Sequence, residues 1–205
     1  MMREEALTVK GRKTVERIIN VAISEFARNG YAGASISKIT KQAGLNKSSI
    51  YTHFDSKADL FCACISEATD RRLSYLGKYI NDNKEKDIGE VLYGFLMLYD
   101  DLGGEGSDAY FHERFAYFPP EDLKSEITDF TSNVIIVQVQ ALLKPVFDKW
   151  AKAKGVAEER RENALVAFMS MYDGLIIERL IGNREKFLHR LKHTWSFYRE
   201  ALEKY

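Results

Sequence analysis

Residues 35–54 read SISKITKQAGLNKSSIYTHF, and the order of side chains in this stretch decides the fold. Ser35 is a residue type suited to a helix N-cap, and Ile36, Ile39 and Ala43 then recur on one helical face. Gly44 lets the chain turn sharply where a side chain would clash, and Leu45 begins a tight connection. A second short helix is expected from about Lys47 to His53, with Ile50 and Phe54 completing a small apolar core shared with the first. That packing leaves Lys47, Ser48, Ser49, Thr52 and His53 on the outside. These short or basic polar groups can donate to phosphates and to base edges in a DNA major groove. Two short helices around a tight turn, with one face apolar and the other polar, make a helix-turn-helix.

The flanks extend the pattern. Upstream, Val15, Ile18, Ile19, Ala22, Ile23 and Phe26 form an apolar helical stripe, with Thr14 as its expected cap and Gly30 as its expected stop. Downstream, Asp55-Ser56-Lys57 starts a long helix that carries Leu60, Phe61, Cys64, Ile65, Ala68, Leu73, Leu76 and Ile80 and ends in the polar stretch 81–86. Asp87 and Glu90 have capping-box spacing for a helix ending near Asp101. Gly103, Gly104 and Gly106 read as a loop, and Ser107 caps a short aromatic helix closed by Pro119-Pro120. A helix to about Lys154 follows, with a kink expected at Pro145 and a stop at Gly155. The last two helices run over 157–181 and 184–203. No segment alternates as a strand would. The expected fold is therefore all-α with about nine helices: a three-helix domain built around the helix-turn-helix over 1–57 and a helical bundle over 58–205.

Composition bounds the function. The 205 residues are 45% hydrophobic and carry zero formal net charge. Residues 1–60 nevertheless hold ten Lys and Arg against six Asp and Glu, so a basic head precedes an acidic body. Cys62 and Cys64 stand two apart on a helix, pointing to different faces, and so neither bridge nor share a metal. With no secretory signal and no other cysteine, a reducing cytoplasm is expected. The longest apolar run, Val91–Tyr99, is far shorter than the roughly 20 residues of a membrane helix, so no membrane partner is expected.

From Ile18 to Phe61 the sequence resembles the DNA-binding domain of the TetR (tetracycline-repressor) family of bacterial regulators. The resemblance is carried by Phe26-Ala27-Arg28-Asn29-Gly30-Tyr31, Ser35-Ile36-x-x-Ile39 and Ala43-Gly44-Leu45. The run Ile50-Tyr51-x-His53-Phe54-x-Ser56-Lys57-x-x-Leu60 completes it. It covers about a quarter of the chain. The resemblance implies that Ser35, Tyr51, His53 and Lys57 contact phosphates, while Lys47, Ser48 and Ser49 face base edges. Thr52 stands where many members have a bulkier aromatic, so its contact reaches less far. The family also implies a homodimer, a palindromic operator, an effector site in the second domain, and repression.

Beyond residue 87, two readings of the aromatic residues stand side by side. Tyr93, Tyr99, Phe111, His112, Phe115, Phe168 and Tyr172 either line a pocket for a small apolar or aromatic ligand or belong to the core. Glu113 and Asp173 are further polar candidates. Leu165, Met169, Tyr172, Ile176 and Leu180, with Leu191, Trp195 and Tyr198 on the last helix, form a broad apolar band. It is either a dimer interface or intrachain core.

Catalysis finds no motif. His189 and His193 lie at i and i+4 and could share a metal, but Arg190 stands where the glutamate of a metalloprotease HExxH motif would be. The run Gly103-Gly104-Glu105-Gly106 follows a helix and lacks the final glycine of a dinucleotide fingerprint. No GxSxG is present. No metal, cofactor or enzymatic activity is expected. A helical interaction protein that no longer binds DNA is the remaining alternative.

Overall fold

The computed structural model describes residues 9–100 and 106–204, apart from the side chains of Val9, Lys10 and Lys47. The described residues are helical, with no strand among them. In chain order the helices are α1 (Val9–Gly33), α2 (Ile36–Gln42), α3 (Lys47–Ile50), α4 (Lys57–Asn83), α5 (Ile88–Met97) and α6 (Asp108–Tyr117). They are followed by α7 (Lys124–Phe130), α8 (Ile136–Lys154), α9 (Glu158–Ile181) and α10 (Arg184–Glu203). A 3-10 turn at Glu121–Leu123 leads into α7, and a π-helical turn at Thr131–Ile135 joins α7 to α8 in one unbroken run. Counted as that single run, the described residues carry the nine helices expected.

Several signals read from the sequence hold. Asp87 accepts a hydrogen bond from the Gly89 N–H, Ser107 from the Tyr110 N–H, and α8 stops at Gly155. Others need correction. α1 begins at Val9 rather than at Thr14, because a helix nucleated by its buried Ile18–Ile23 stripe propagates backwards at little cost. Gly30 does not end it. With φ 69° and ψ 173° it breaks the helix, which then makes a further turn to Gly33. The break sets the Tyr31 ring 6.1 Å from Phe26 and 5.0 Å from Phe61. The helix runs through Pro145 without interruption, since the lost bond falls to the exposed residue Ala141. The irregularity lies instead at the π turn. α5 ends at Met97, short of the expected Asp101, and residues 98–100 continue as a turn. The loop at Gly103 and Gly104 lies outside the described residues.

The chain divides into two compact units: residues 1–72 with 103–129, and residues 73–102 with 130–205. This differs from a division at residue 57. The first unit keeps the first four turns of α4 and recruits α6. Its core is an aromatic cluster in which Phe26, Phe61, Phe111 and Phe115 are all buried, with Phe61 4.9 Å from Phe26 and 5.0 Å from Phe115. Burying each such ring stabilises by roughly 1.5–3 kcal/mol. Polar contacts add direction: Arg114 Nη1 donates to the Ala27 carbonyl at 3.0 Å, and Ser24 Oγ donates to the Gly106 carbonyl at 3.1 Å.

In the second unit, α5, α8, α9 and α10 surround Phe95, Phe147, Phe168, Phe187 and Leu143, all fully buried. By length and composition, the helical run Glu121–Lys154 is the one among the described residues that could cross a membrane. Within the second unit, however, its Val139, Leu143 and Phe147 face inward, with Phe147 6.1 Å from Phe168 of α9.

Candidate nucleic-acid interface

The candidate site is built on α2, α3 and the turn after them. Ile39, Ala43, Ile50 and Phe54 are buried almost completely, so both short helices are held by one apolar face. Ile36 and Leu45, expected in that core, are only half-buried. Gly44 makes the turn with φ 65°, a backbone region that an L side chain occupies at a cost of about 1–2 kcal/mol. The Leu45 N–H then closes the turn on the Thr40 carbonyl at 2.9 Å.

The second helix is shorter than its sequence pattern suggests. α3 ends at Ile50, and residues 51–53 continue as a tight turn in which the His53 N–H bonds the Ile50 carbonyl at 3.0 Å. The Thr52 hydroxyl takes the Ser49 carbonyl at 2.8 Å, a local bond that competes with regular helix. Ser48, Tyr51 and Thr52 are exposed, whereas Ser49 and His53 are half-exposed. These five therefore share the outer surface of one turn-and-a-half above the Ile50–Phe54 core. Lys47 opens the helix, and its side chain lies outside the described set.

Ser35 occupies the N-cap position of α2, but its hydroxyl makes no capping bond. Its backbone N–H instead donates to Glu25 Oε1 at 3.2 Å, with Glu25 itself buried on α1. Sequence reading missed Glu25, since a lone acid within an apolar stripe carries no signal of its destination. Lys57 is also committed within the chain. Its Nζ donates to the Ala32 carbonyl at 3.2 Å and lies 5.1 Å from the centre of the Tyr31 ring. Ser56 and Asp59 fix the start of α4, as the Asp59 N–H bonds Ser56 Oγ and the Asp55 N–H bonds Asp59 Oδ2.

Residues 18–64 match the family model described as bacterial regulatory proteins, tetR family. The match spans about a quarter of the chain and takes in the whole helix-turn-helix. Among curated relatives, the chain is 35% identical over 84 residues to the biofilm operon icaADBC HTH-type negative transcriptional regulator IcaR of Staphylococcus aureus. That match covers 40% of this chain and 43% of IcaR. It is 41% identical over 54 residues to the HTH-type transcriptional repressor SCO4008 of Streptomyces coelicolor, which covers 26% of this chain and 28% of that one. The chain thus matches less than half the length of these relatives.

Likeness of fold extends much further. A TetR transcriptional regulator from Chloroflexus aurantiacus superposes with a TM-score of 0.69 at 20% identity, covering 93% of this chain and 96% of the other. Bacillus subtilis FadR, solved in complex with stearoyl-CoA, gives 0.65 at 18% identity, covering 89% and 96%. The match to the family model is confined to residues 18–64, and the likeness beyond it is one of fold.

The residues expected to line a ligand pocket are drawn from both units. Phe111, His112 and Phe115 are buried in the first unit. There Arg72 Nε meets Glu113 Oε1 at 3.1 Å, and His112 Nδ1 lies 3.4 Å from the same oxygen. Burial pushes the Glu113 carboxyl up, but the facing His112 ring and Arg72 guanidinium outweigh it and hold it below the usual range. Tyr99, Phe168 and Tyr172 are buried in the second unit, where the Tyr99 and Tyr172 hydroxyls hydrogen-bond each other. Tyr93 is exposed beside Trp195, their rings 5.5 Å apart, in a groove of about 390 Å³ between α5 and α10.

The apolar band on the last two helices packs within the second unit. Leu165, Met169, Tyr172, Ile176, Leu191, Trp195 and Tyr198 are all buried inside the chain, and Leu180 is half-buried. They hold α9 and α10 to their own subunit. Different residues of the same two helices face outward: Val166 is 49% exposed, Ile181 71% and Phe197 78%.

Proposed function

We propose that this chain is a sequence-specific DNA-binding transcription regulator, a ligand-responsive repressor that acts in the cytoplasm as a homodimer on a palindromic operator and has no catalytic activity. The carrying observation is the outward polar turn Ser48–His53, fixed over the buried Ile50 and Phe54. Ser48 and Ser49 face base edges in the major groove. Tyr51, His53 and Ser35 contact phosphates, and Lys47 and Lys57 add positive charge. Lys57 reaches a phosphate from its anchorage at Ala32, so its role is as much to hold the α4 start as to bind.

Dimerisation uses the outward face of α9 and α10. Val166, Ile181 and Phe197 are large apolar groups whose exposure in a single chain is explained by a second copy. An isologous pair sets two reading domains about 34 Å apart or somewhat more, matching an inverted repeat.

A small apolar or aromatic effector releases the DNA. FadR of Bacillus subtilis, similar in fold, was solved with stearoyl-CoA, which supports an apolar compound as the class of effector. Signal travels along α4, whose residues belong to both units. By linkage, the factor by which effector weakens DNA binding equals the factor by which DNA weakens effector binding, typically 1–3 kcal/mol.

Selection of bound sequences from a random duplex library tests the reading. Enrichment of an inverted repeat with half-sites one to two helical turns apart supports it. A folded protein that enriches nothing contradicts it.

A further inference from the structure

On the outward side of α10 that also carries Phe197, the helix holds a second feature of defined chemistry. His189 and His193 stand one helical turn apart, both exposed, with ring centroids 4.7 Å apart and ring planes inclined at 59°. We infer that His189 and His193 form a bidentate site for a divalent first-row transition-metal ion of the zinc, nickel and copper class. This departs from the sequence-based expectation of no metal. That expectation rested on the missing HExxH glutamate and on the lack of a cysteine nearby in sequence, neither of which bears on chelation by two imidazoles.

The geometry supports the assignment. Two imidazole nitrogens at 2.0–2.1 Å from one ion lie about 3 Å apart, a separation that rings 4.7 Å apart reach by small side-chain rotations. The i, i+4 spacing preorganises both ligands on one face, so the second nitrogen binds at high effective concentration once the first is engaged. Imidazole is a preferred ligand for zinc, copper and nickel, whereas magnesium and calcium favour oxygen donors, which sets the class of ion.

The local charges are permissive. Arg190 lies between the two histidines in sequence, but its guanidinium turns toward α9, where Nη2 meets Glu178 Oε2 at 2.6 Å. Glu185 lies one turn before His189 and is exposed, which offsets the exposed cations Lys186 and Lys192. Among the described residues no group of three or more His, Cys, Asp and Glu is placed to hold an ion. Water therefore fills the remaining positions, and the site is open and exchangeable, unlike a closed structural zinc site. A chelated ion ties successive turns of α10 together, so binding stabilises the folded chain by mass action.

The test is calorimetric titration of zinc chloride into the untagged, chelator-dialysed full-length protein, with thermal unfolding read in parallel. One ion should bind per chain and raise the unfolding temperature. His189→Ala and His193→Ala, both at exposed positions, should each weaken binding at least about tenfold by removing the chelate. Each should also abolish the thermal shift. His53→Ala and Cys62→Ser should bind zinc as the wild type does. No binding by the wild type, equal binding by both α10 variants, or loss of binding in His53→Ala or Cys62→Ser would overturn the inference.

Discussion

The buried carboxylate of Glu25 on α1 accepts the backbone N–H of Ser35 at the start of α2, 3.2 Å away. This bond fixes the corner between the supporting helix and the helix-turn-helix, and it satisfies an N–H that the Ser35 side chain cannot reach. Lys38 is 3.9 Å from the same oxygen but 63% exposed, and so contributes little. Glu25→Ala should therefore cost about 1–3 kcal/mol in urea unfolding. It should also loosen DNA binding, while Glu25→Gln, which keeps an acceptor, recovers most of both. An alanine variant as stable as wild type would show that the corner is held by packing alone.

The Arg72–Glu113 pair joins α4 to α6 inside the first unit with both side chains more than nine-tenths buried. Withdrawing one charge of a buried pair typically costs about 3–5 kcal/mol, whereas replacing both by apolar groups is far milder. Glu113→Ala should fall in that range, and Arg72→Met with Glu113→Leu should be much closer to wild type. The pH dependence follows from the depressed Glu113 pKa. The folded state favours the ionised form, so this contribution is present above the unfolded value near 4.5 and lost as pH falls through the lower folded value. Urea midpoints of wild type and Glu113→Gln should converge as pH drops below 4.5, and parallel curves would contradict the assignment.

In the proposed dimer, the outward residues Ile181 of α9 and Phe197 of α10 serve assembly, and the buried face of α10 serves folding. Phe197→Asp with Ile181→Asp should yield a helical monomer by sedimentation, with little loss of thermal stability beyond that due to dissociation. Leu191→Ala, at a buried position, should cost about 2–5 kcal/mol and leave association intact until the chain unfolds. A doubly substituted protein that remains dimeric would place the interface elsewhere.

Much of this molecule is legible in its sequence where the signal is local. The turn at Gly44, the caps at Asp87 and Ser107, and the stop at Gly155 depend on a few neighbouring residues, and all four stand where the sequence puts them. What escapes is long-range. Phe111 and Phe115 share helical spacing with many core aromatics, and nothing local says that they pack with Phe26 and Phe61 rather than among the later helices. α9 is apolar on more than one face, so periodicity cannot tell Met169, which is core, from Val166, which is outward. The outward placement of Ser48, Tyr51 and Thr52 is legible because they are the complement of a short apolar pattern. Lys57 and Glu25 show the limit: their partners Ala32 and Ser35 come from folding, not from spacing.

The most direct test is equilibrium binding of the protein to the DNA just upstream of its own gene, at several salt concentrations, with Tyr51→Phe alongside. The account predicts tight binding to one inverted repeat, much weaker binding to a scrambled duplex, and log affinity falling steeply with log salt. Tyr51→Phe should weaken every duplex to a similar degree. A folded dimer that binds both duplexes equally weakly, with a shallow salt dependence, would contradict the account and leave a helical protein whose reading domain meets no DNA.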